Sequence, residues 1–527
     1  MTNVKITDLN QDTAPARTDV LPFVDVSSDE TKKVTIADLF NTVSASVSVK
    51  DFGAVGDGVT DDTSAIQAAV DAAELLVLKR HYGGVSVVFP SGAYLITSTI
   101  TIEESNIPSG GGRNGITLVG EGKSCSSIIA QDPNFDFVSF VGTSTRSYYG
   151  GGVKDLGFVA IGNATSGALL KMYRTIGSVV DNISHDGGFE NLVLDGCADL
   201  FISNFLFNDI SRTGGTCSSA IRFKATQFLC SDVHLSNVQI KPTSHAPTYS
   251  IIINGSDGIY CTNGHQFGGL RFEPQGIGQS QATASTYWSN WYFDTSSANN
   301  VLFIGNTDTA SKFTNHRFVS CDMRDADRGF VVNDLTAVSN VIVSDCRIGG
   351  EDRDGLYFAG SLVDKAIVSD CIFNDNNSSD VSTSADLRIN SSDVVITGCV
   401  FRAGGASGKA LDIGSVSDTL VSDCNFNGST AGTKIDDGGT GTQLSSIAGV
   451  TVTNSGTATI AAGQQNVTVT HGVDLLPSIE TVSVTPITDG PGVTRWYADS
   501  RTATSFAIRT NTSPTADMSF AWQISYK

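Results

Sequence analysis

The chain has 527 residues, 40% of them hydrophobic and only 17% charged, with 54 glycines and a formal net charge of −21. That apolar content supports a sizeable core and excludes a disordered chain, while the acidic balance disfavours nucleic acid and anionic membranes as partners. No run of 18 apolar residues marks a membrane span, and no apolar h-region follows Met1-Thr2-Asn3-Val4-Lys5, so no signal peptide is expected and synthesis in a cytoplasm is.

Residues 1–48 hold short apolar stretches at 6–9, 20–24 and 34–39 between polar turns. They are too few for an independent core, so this segment is expected to lean on a partner or on its own copies. A second unit opens with Asp51-Phe52-Gly53-Ala54 and Gly56-Asp57-Gly58. Ile66, Ala69, Val70 and Ala73 then recur at i, i+3, i+4 and i+7, one face of a helix. Asp61, Asp62 and Thr63 stand where an N-cap belongs. Strands are expected at 85–90 and 94–96 around a turn at Pro90–Gly92. The acids of this opening read as caps and turn formers rather than metal ligands. No Cys-x-x-Cys pair and no zinc-spaced Cys/His cluster occurs, and no metal or other cofactor is expected.

Further along, the chain repeats itself. Val341 begins V-I-V-S-D-C-R-I, Ala366 begins A-I-V-S-D-C-I-F, Val394 begins V-V-I-T-G-C-V-F and Thr419 begins T-L-V-S-D-C-N-F. With an earlier copy at 317–323, Cys321, Cys346, Cys371, Cys399 and Cys424 stand 25, 25, 28 and 25 residues apart. A fixed period in the twenties signals a solenoid. The leucine-and-asparagine signature of a leucine-rich repeat is missing, so a parallel β-helix is expected, with strands stacked about 4.8 Å apart. The cysteines then form an internal ladder of free thiols, where a small apolar residue fits. Upstream, Leu156/Phe158, Leu192/Leu194, Phe205/Phe207, Val238/Ile240, Leu270/Phe272 and Trp291/Phe293 are placed at the Cys and Cys+2 positions. The solenoid, 49–440, ends at the Gly-rich run 437–441, and six alternating stretches in 449–527 predict a small β-sandwich.

In this alignment the position after Cys+2 holds Glu273 and Asp294 as successive acids, beside the aromatic run Tyr287-Trp288-Ser289-Asn290-Trp291-Tyr292-Phe293. One coil of separation suits a glycosidase carboxyl pair, so Glu273 and Asp294 are assigned as general acid and base or nucleophile. Trp291 and Phe293 are expected in the core, with Trp288 and Tyr292 facing outward to stack on sugars. A second acidic cluster holds Asp322, Arg324, Asp325 and Asp327, with Glu351, Asp352 and Asp354 one coil later. Crowded acids raise a carboxyl pKa, which adds Asp322, Asp325 and Glu351 as catalytic candidates. His265, Arg271 and Arg324 are candidates for gripping an acidic sugar. If the reaction were elimination, Arg271, Arg324 and Arg347 are the outward bases.

The opening motif (Asp51 to Ala54, Gly56 to Gly58, Thr60-Asp61-Asp62-Thr63, Ala65-Ile66-Gln67 and Gly84 through Tyr94) resembles the start of pectate-lyase-like chains, in which a helix caps a right-handed parallel β-helix. The flanks extend the likeness to bacteriophage tailspikes and depolymerases. Residues 1–48 resemble the head-binding segments that open tail fibres and spikes. Residues 449–527 resemble C-terminal domains of phage tail proteins through Thr470-His471-Gly472 and Trp496-Tyr497. This resemblance implies an all-β homotrimer on a virion, attached to a phage tail or baseplate protein through its N-terminal segment. It implies binding and endo-glycosidic hydrolysis of a bacterial surface polysaccharide: capsule, exopolysaccharide or O-antigen. A polysaccharide lyase and a non-catalytic receptor-binding spike are the alternatives. The terminal sandwich would close the solenoid and join three chains, with carbohydrate binding as the rival role.

Overall fold

A computed structural model describes residues 20–25, 30–35 and 46–526, apart from gaps at 80–83, 105–114, 211–212, 216, 244, 274–283, 295–298, 305–312, 334–336, 360–362, 474–479 and 503. The apolar stretches at 6–9 and 36–39 lie outside the described residues. Val20–Asp25 pairs antiparallel with Glu30–Thr35.

From Ser46 the chain winds as a right-handed parallel β-helix. Ser46–Ser48 pairs in parallel with Val85–Phe89, so the first coil begins just before residue 49. Two sheets make the wall. A separate sheet of 13 parallel strands runs from Ile100–Glu103 to Thr433–Asp437. A bent sheet supplies the other two sides as a first and a second limb. Ser256–Phe267 and Ala284–Asp294 pass through both limbs in one strand. From Asp155 onward the bend falls at a single left-handed residue per coil, such as Asn263 and Asn290 at φ 55° and 49° and Asp345 and Asp370 at 52° and 54°. Asn and Asp tolerate this conformation because their side chains bond locally. This explains the Ser-Asp-Cys corner of the repeat.

The five repeat cysteines stand rung over rung, since their following residues pair in register, Asp322 with Arg347, Arg347 with Ile372 and Ile372 with Val400. All five are buried and free, as expected. Val400 pairs onward with Asn425, which carries the file to Cys424. Leu156, Phe205, Val238 and Trp291 join the cysteine column. Leu192/Leu194 and Leu270/Phe272 do not: they line the separate sheet. Their places are taken by Ile183/His185 and Gly264/Gln266. Gly264 is required there, because a Cβ would meet the Trp291 ring at 2.4 Å.

The helix Thr63–Lys79 closes one end, burying Ile66, Ala69, Val70, Ala73 and Val77. The Asp62 carboxylate accepts the Val55 and Gly56 N–H groups at 2.6 and 2.9 Å, so this acid folds the opening loop. At the other end, Gln443–Ser445 still pairs with Leu420–Ser422, which carries the solenoid past residue 440. The Gly-rich run is a turn within the last coil, joining Thr433–Asp437 to Gln443–Ser445, with Gly441 at φ 73°. Beyond it, two three-stranded antiparallel sheets face each other as a sandwich. Phe506 and Trp522, one from each sheet, meet edge to face at 5.5 Å.

Candidate functional site

The ten candidate residues fall in three places. Two are inside the wall. Trp288 is fully buried, packed edge-on to Trp291 at 5.0 Å with its indole N–H donated to Thr286 Oγ1 at 3.3 Å. The expectation that it faces outward is therefore corrected: its column is Cys261, Trp288 and Phe318, all interior. The left-handed Asn290 resets the alternation at the bend, so Trp288, Trp291 and Phe293 all point inward. Glu351 is also buried. It accepts the Ala326 N–H at 2.7 Å and the Asn300 amide at 3.1 Å, fastening the 325–327 turn from beneath, and burial pushes its pKa well up. A carboxyl sealed under the surface cannot reach a polymer, which removes Glu351 from the reacting groups.

Arg271 and Glu273 lie on the separate sheet. Glu273 is held by Arg222 at 3.1 Å and Arg271 at 3.2 Å, and Arg222 and Lys224 both turn to Glu190 as well. The pairing of Glu273 with Asp294 as successive rungs of one column is thus overturned. Asp294 stands between Phe267 and Arg324 on the bent sheet. The misplacement follows from Gly264 and Gln266, whose size and polarity hid the coil that belongs there.

The other six candidates meet on the outer face of the second limb. His265, Tyr292 and Asp322 are successive rungs of one column. Asp294 and Arg324 are neighbours in the next, and Asp325 follows at a left-handed corner with φ 57°. The His265 ring meets Tyr292 edge to face at 4.7 Å and Phe267 at 4.9 Å. Arg324 grips Asp322 with two contacts of 2.6 Å and lies 5.7 Å from the Tyr292 ring centre. Such a bidentate pair fixes both side chains.

The groups titrate apart. Partial burial, reinforced by the Asp325 charge, pushes the Asp294 carboxyl up against the opposing pull of Arg324. Burial, then the Asp294 charge, raises the Tyr292 phenol, keeping it protonated. Burial, then Lys241, pushes His265 down, keeping it neutral. Lys241 and Phe267 were not selected from the sequence; the true register, through Gly264 and Gln266, is the signal that places them. Glu190, Arg222 and Lys224 were legible only as the polar positions of the alternation in 190–195 and 219–224.

Asp294 and Asp322 are diagonal neighbours, one rung and two residues apart, a spacing of about 7–8 Å between backbones. A carboxyl whose pKa is pushed up, standing beside a second carboxyl, is the arrangement from which one open face draws both an acid and a base.

The chain is similar to several known proteins over short stretches and to solved structures over longer ones. A short stretch is 55% identical over 49 residues to mannuronan C5-epimerase AlgE1 of Azotobacter vinelandii, covering 9% of this chain and 3% of that protein. Over 57 residues the chain is 47% identical to plasmin and fibronectin-binding protein A of Streptococcus pneumoniae, 11% of this chain and 7% of that one. The chain thus spans under a tenth of the length of these curated relatives. Among solved structures, the tailspike gp49 of Pseudomonas phage LKA1 aligns with a TM-score of 0.49 and 13% identity over 91% of this chain and 99% of its own. The AlgE4 A-module of Azotobacter vinelandii aligns at 0.44 and 16% identity over 76% and 96%. The family model of rhamnogalacturonase A/epimerase, pectate lyase-like, matches residues 46–357, more than half of the chain. The chain belongs to that family.

Proposed function

We propose that this protein is a phage tailspike depolymerase. It binds a capsule, exopolysaccharide or O-antigen and cleaves it by endo-glycosidic hydrolysis on the outer face of the second limb. Family membership supports a polysaccharide as the ligand. The observation that carries hydrolysis is the raised Asp294 carboxyl diagonal to Asp322 in one surface strip.

In this reading Asp294 donates its proton to the departing glycosidic oxygen as the C–O bond breaks. Asp322, held by Arg324, takes a proton from the water that adds to the anomeric carbon. In inverting enzymes the two carboxyl groups stand about 6.5–9.5 Å apart to leave room for that water, and side chains rooted on this diagonal can span such a gap. Tyr292 and His265 offer a ring edge and face to the sugar, and Arg324 a charge for an acidic substituent. Three copies would stand on the virion, joined to the tail or baseplate through residues 1–48.

The test is incubation with purified surface polysaccharides followed by mass spectrometry. Oligosaccharides ending in a new hemiacetal are expected from the wild type, and Asp294→Asn should bind the polymer without shortening it. Cleavage at wild-type rate by that variant would remove the assignment. A second reading, elimination from a uronate, is favoured by one observation: the phenol of Tyr292 lies beside the Arg324 cation. It predicts products absorbing in the ultraviolet through a new C=C bond.

A further inference from the structure

The first limb carries a face that the catalytic reading leaves unused. One outward column runs Val179, Phe201, His234, Tyr260 and Tyr287 on successive rungs. Below a single charge, Arg317, it continues as Ile342, Ile367, Val395 and Leu420. Apolar side chains in the outward position of a sheet are the reverse of the usual alternation. Phe201 is 51% exposed, Tyr260 39% and Ile367 37%. The next outward column opens with Asp181 on the first rung, and from Ser203 to Ser445 it holds only Ser and Thr with one Val. In a chain of net charge −21, this strip is flat and almost uncharged.

The rings decide between a sugar and a protein as the occupant. Phe201 and His234 stack at 4.9 Å and 10°, and His234 and Tyr260 at 4.8 Å and 14°. Their faces are spent on each other, and only edges point outward. A sugar needs an open ring face, whereas a packed protein surface needs only apolar area. The strip spans ten rungs, about 43 Å at the strand spacing. Five residue steps from corner to corner set a width of about 17 Å, so the strip offers about 700 Å² per copy, close to one side of a standard interface. Both borders are polar: Asp199, Asp232 and Asp393 on one left-handed corner, Asp345, Asp370 and Asp423 on the other. An apolar centre within a polar rim is the anatomy of an association surface.

We infer that this strip is where copies of the chain pack side by side with parallel axes. The partner is a second copy because its wall carries the same rung spacing, so the ridges of this strip meet the grooves of a neighbouring copy's wall along the whole length. This rests on the trimer of the proposed function and gives it a contact face.

Ile367→Asp places a charge at mid-strip on an outward side chain. Wild type should sediment as an oligomer. The variant should fall to the single-chain mass with its far-ultraviolet circular dichroism unchanged. Asn374→Asp, outward on the adjacent limb, should leave the oligomer intact. As a second readout, in a Cys125→Ser background, Ile367→Cys should react with maleimide at least ten times more slowly than Asn374→Cys. An oligomer that survives Ile367→Asp, or equal labelling at the two positions, overturns this face while leaving the trimer standing. A monomeric wild type overturns both.

Discussion

His185 sits where the repeat later has Phe and Met, inside the wall, and its burial makes a quantitative prediction. Its ring lies 5.0 Å from Phe158 and 5.0 Å from Phe205, edge to face with each. Burial drives its pKa down to about 3, with the Asn191 backbone opposing only in part. The folded protein therefore keeps this imidazole neutral, while an unfolded chain takes up a proton below about pH 6.5. Above that pH the residue costs nothing in linkage. As pH falls from about 6.5 toward 3, the unfolded state gains. At pH 5 the gain is about 2 kcal/mol, from RT ln(1 + 10^1.5). His185→Phe, which copies Phe158 and Phe207 in the same column, should abolish that part of the acid sensitivity. Guanidinium unfolding of both proteins at pH 8 and pH 5 measures it. Any packing strain from the larger ring cancels in the difference of differences. Parallel losses between the two pH values would refute the reasoning.

At the site, Asp294→Asn should lower kcat by about 10²–10⁴ with glycan binding retained, measured by reducing-end release and by calorimetry. Because Asp294 must be protonated to act, activity should fall on the alkaline side at a pH above the ordinary carboxylate range. Asp325→Asn, by removing the charge that raises Asp294, should shift that limb to lower pH. Trp288→Ala should destabilise the fold by about 3–5 kcal/mol while leaving the glycan affinity of the folded fraction unchanged; weakened affinity without loss of stability would return Trp288 to the surface. Gly264→Ala should cost about 1–3 kcal/mol in thermal or chemical unfolding, since its Cβ would meet the Trp291 ring at 2.4 Å.

Legibility in the sequence followed the local rules each segment obeys. The cysteine file was readable because four of its five coils repeat a largely β-branched run, a hydroxyl, a left-handed corner and a small thiol, and the Cys321 coil keeps the corner and the thiol. The helix 63–79 was readable from a four-residue apolar stripe. The upstream coils were readable only where bulky apolar pairs filled the same two positions, as at Phe205/Phe207. At Gly264/Gln266 the core is filled from the neighbouring rung by Trp291, whose indole N–H bonds Gln266 at 2.9 Å, so the local pattern vanished. Leu270/Phe272 then looked like the missing coil, and Glu273 was drawn into the wrong column with it. Six of the ten site candidates still came together, because the column from His265 to Asp322 needs only the correct period. The orientation of Trp288 was out of reach, since the phase reset at Asn290 lies in a backbone angle rather than in a hydropathy pattern.

The three corners of each coil divide the labour. Between the two limbs, from Asp155 onward, the corner is a one-residue bend, and the chain passes from Val343 to Cys346 and from Val368 to Cys371 with the same step. The other connections vary: from Cys346 to Leu356 is 10 residues, from Cys371 to Leu387 is 16 and from Cys399 to Leu411 is 12. Length changes are absorbed there, as in the 377–384 turn, where Asn377 accepts the Val381 N–H at 2.8 Å. Strand register is untouched, so the outward columns of both limbs stay aligned from rung to rung. A site assembled from such columns depends on the constant corner more than on any loop. His265, Tyr292 and Asp322 come from three coils and are 27 and 30 residues apart, yet stand in line because each of these coils makes the same one-residue bend before the second limb. The same bend holds the uncharged strip of the first limb straight and turns it away from the acids of the second. In this fold a face for the polymer and a face for another copy can therefore share the same strands without sharing a side chain.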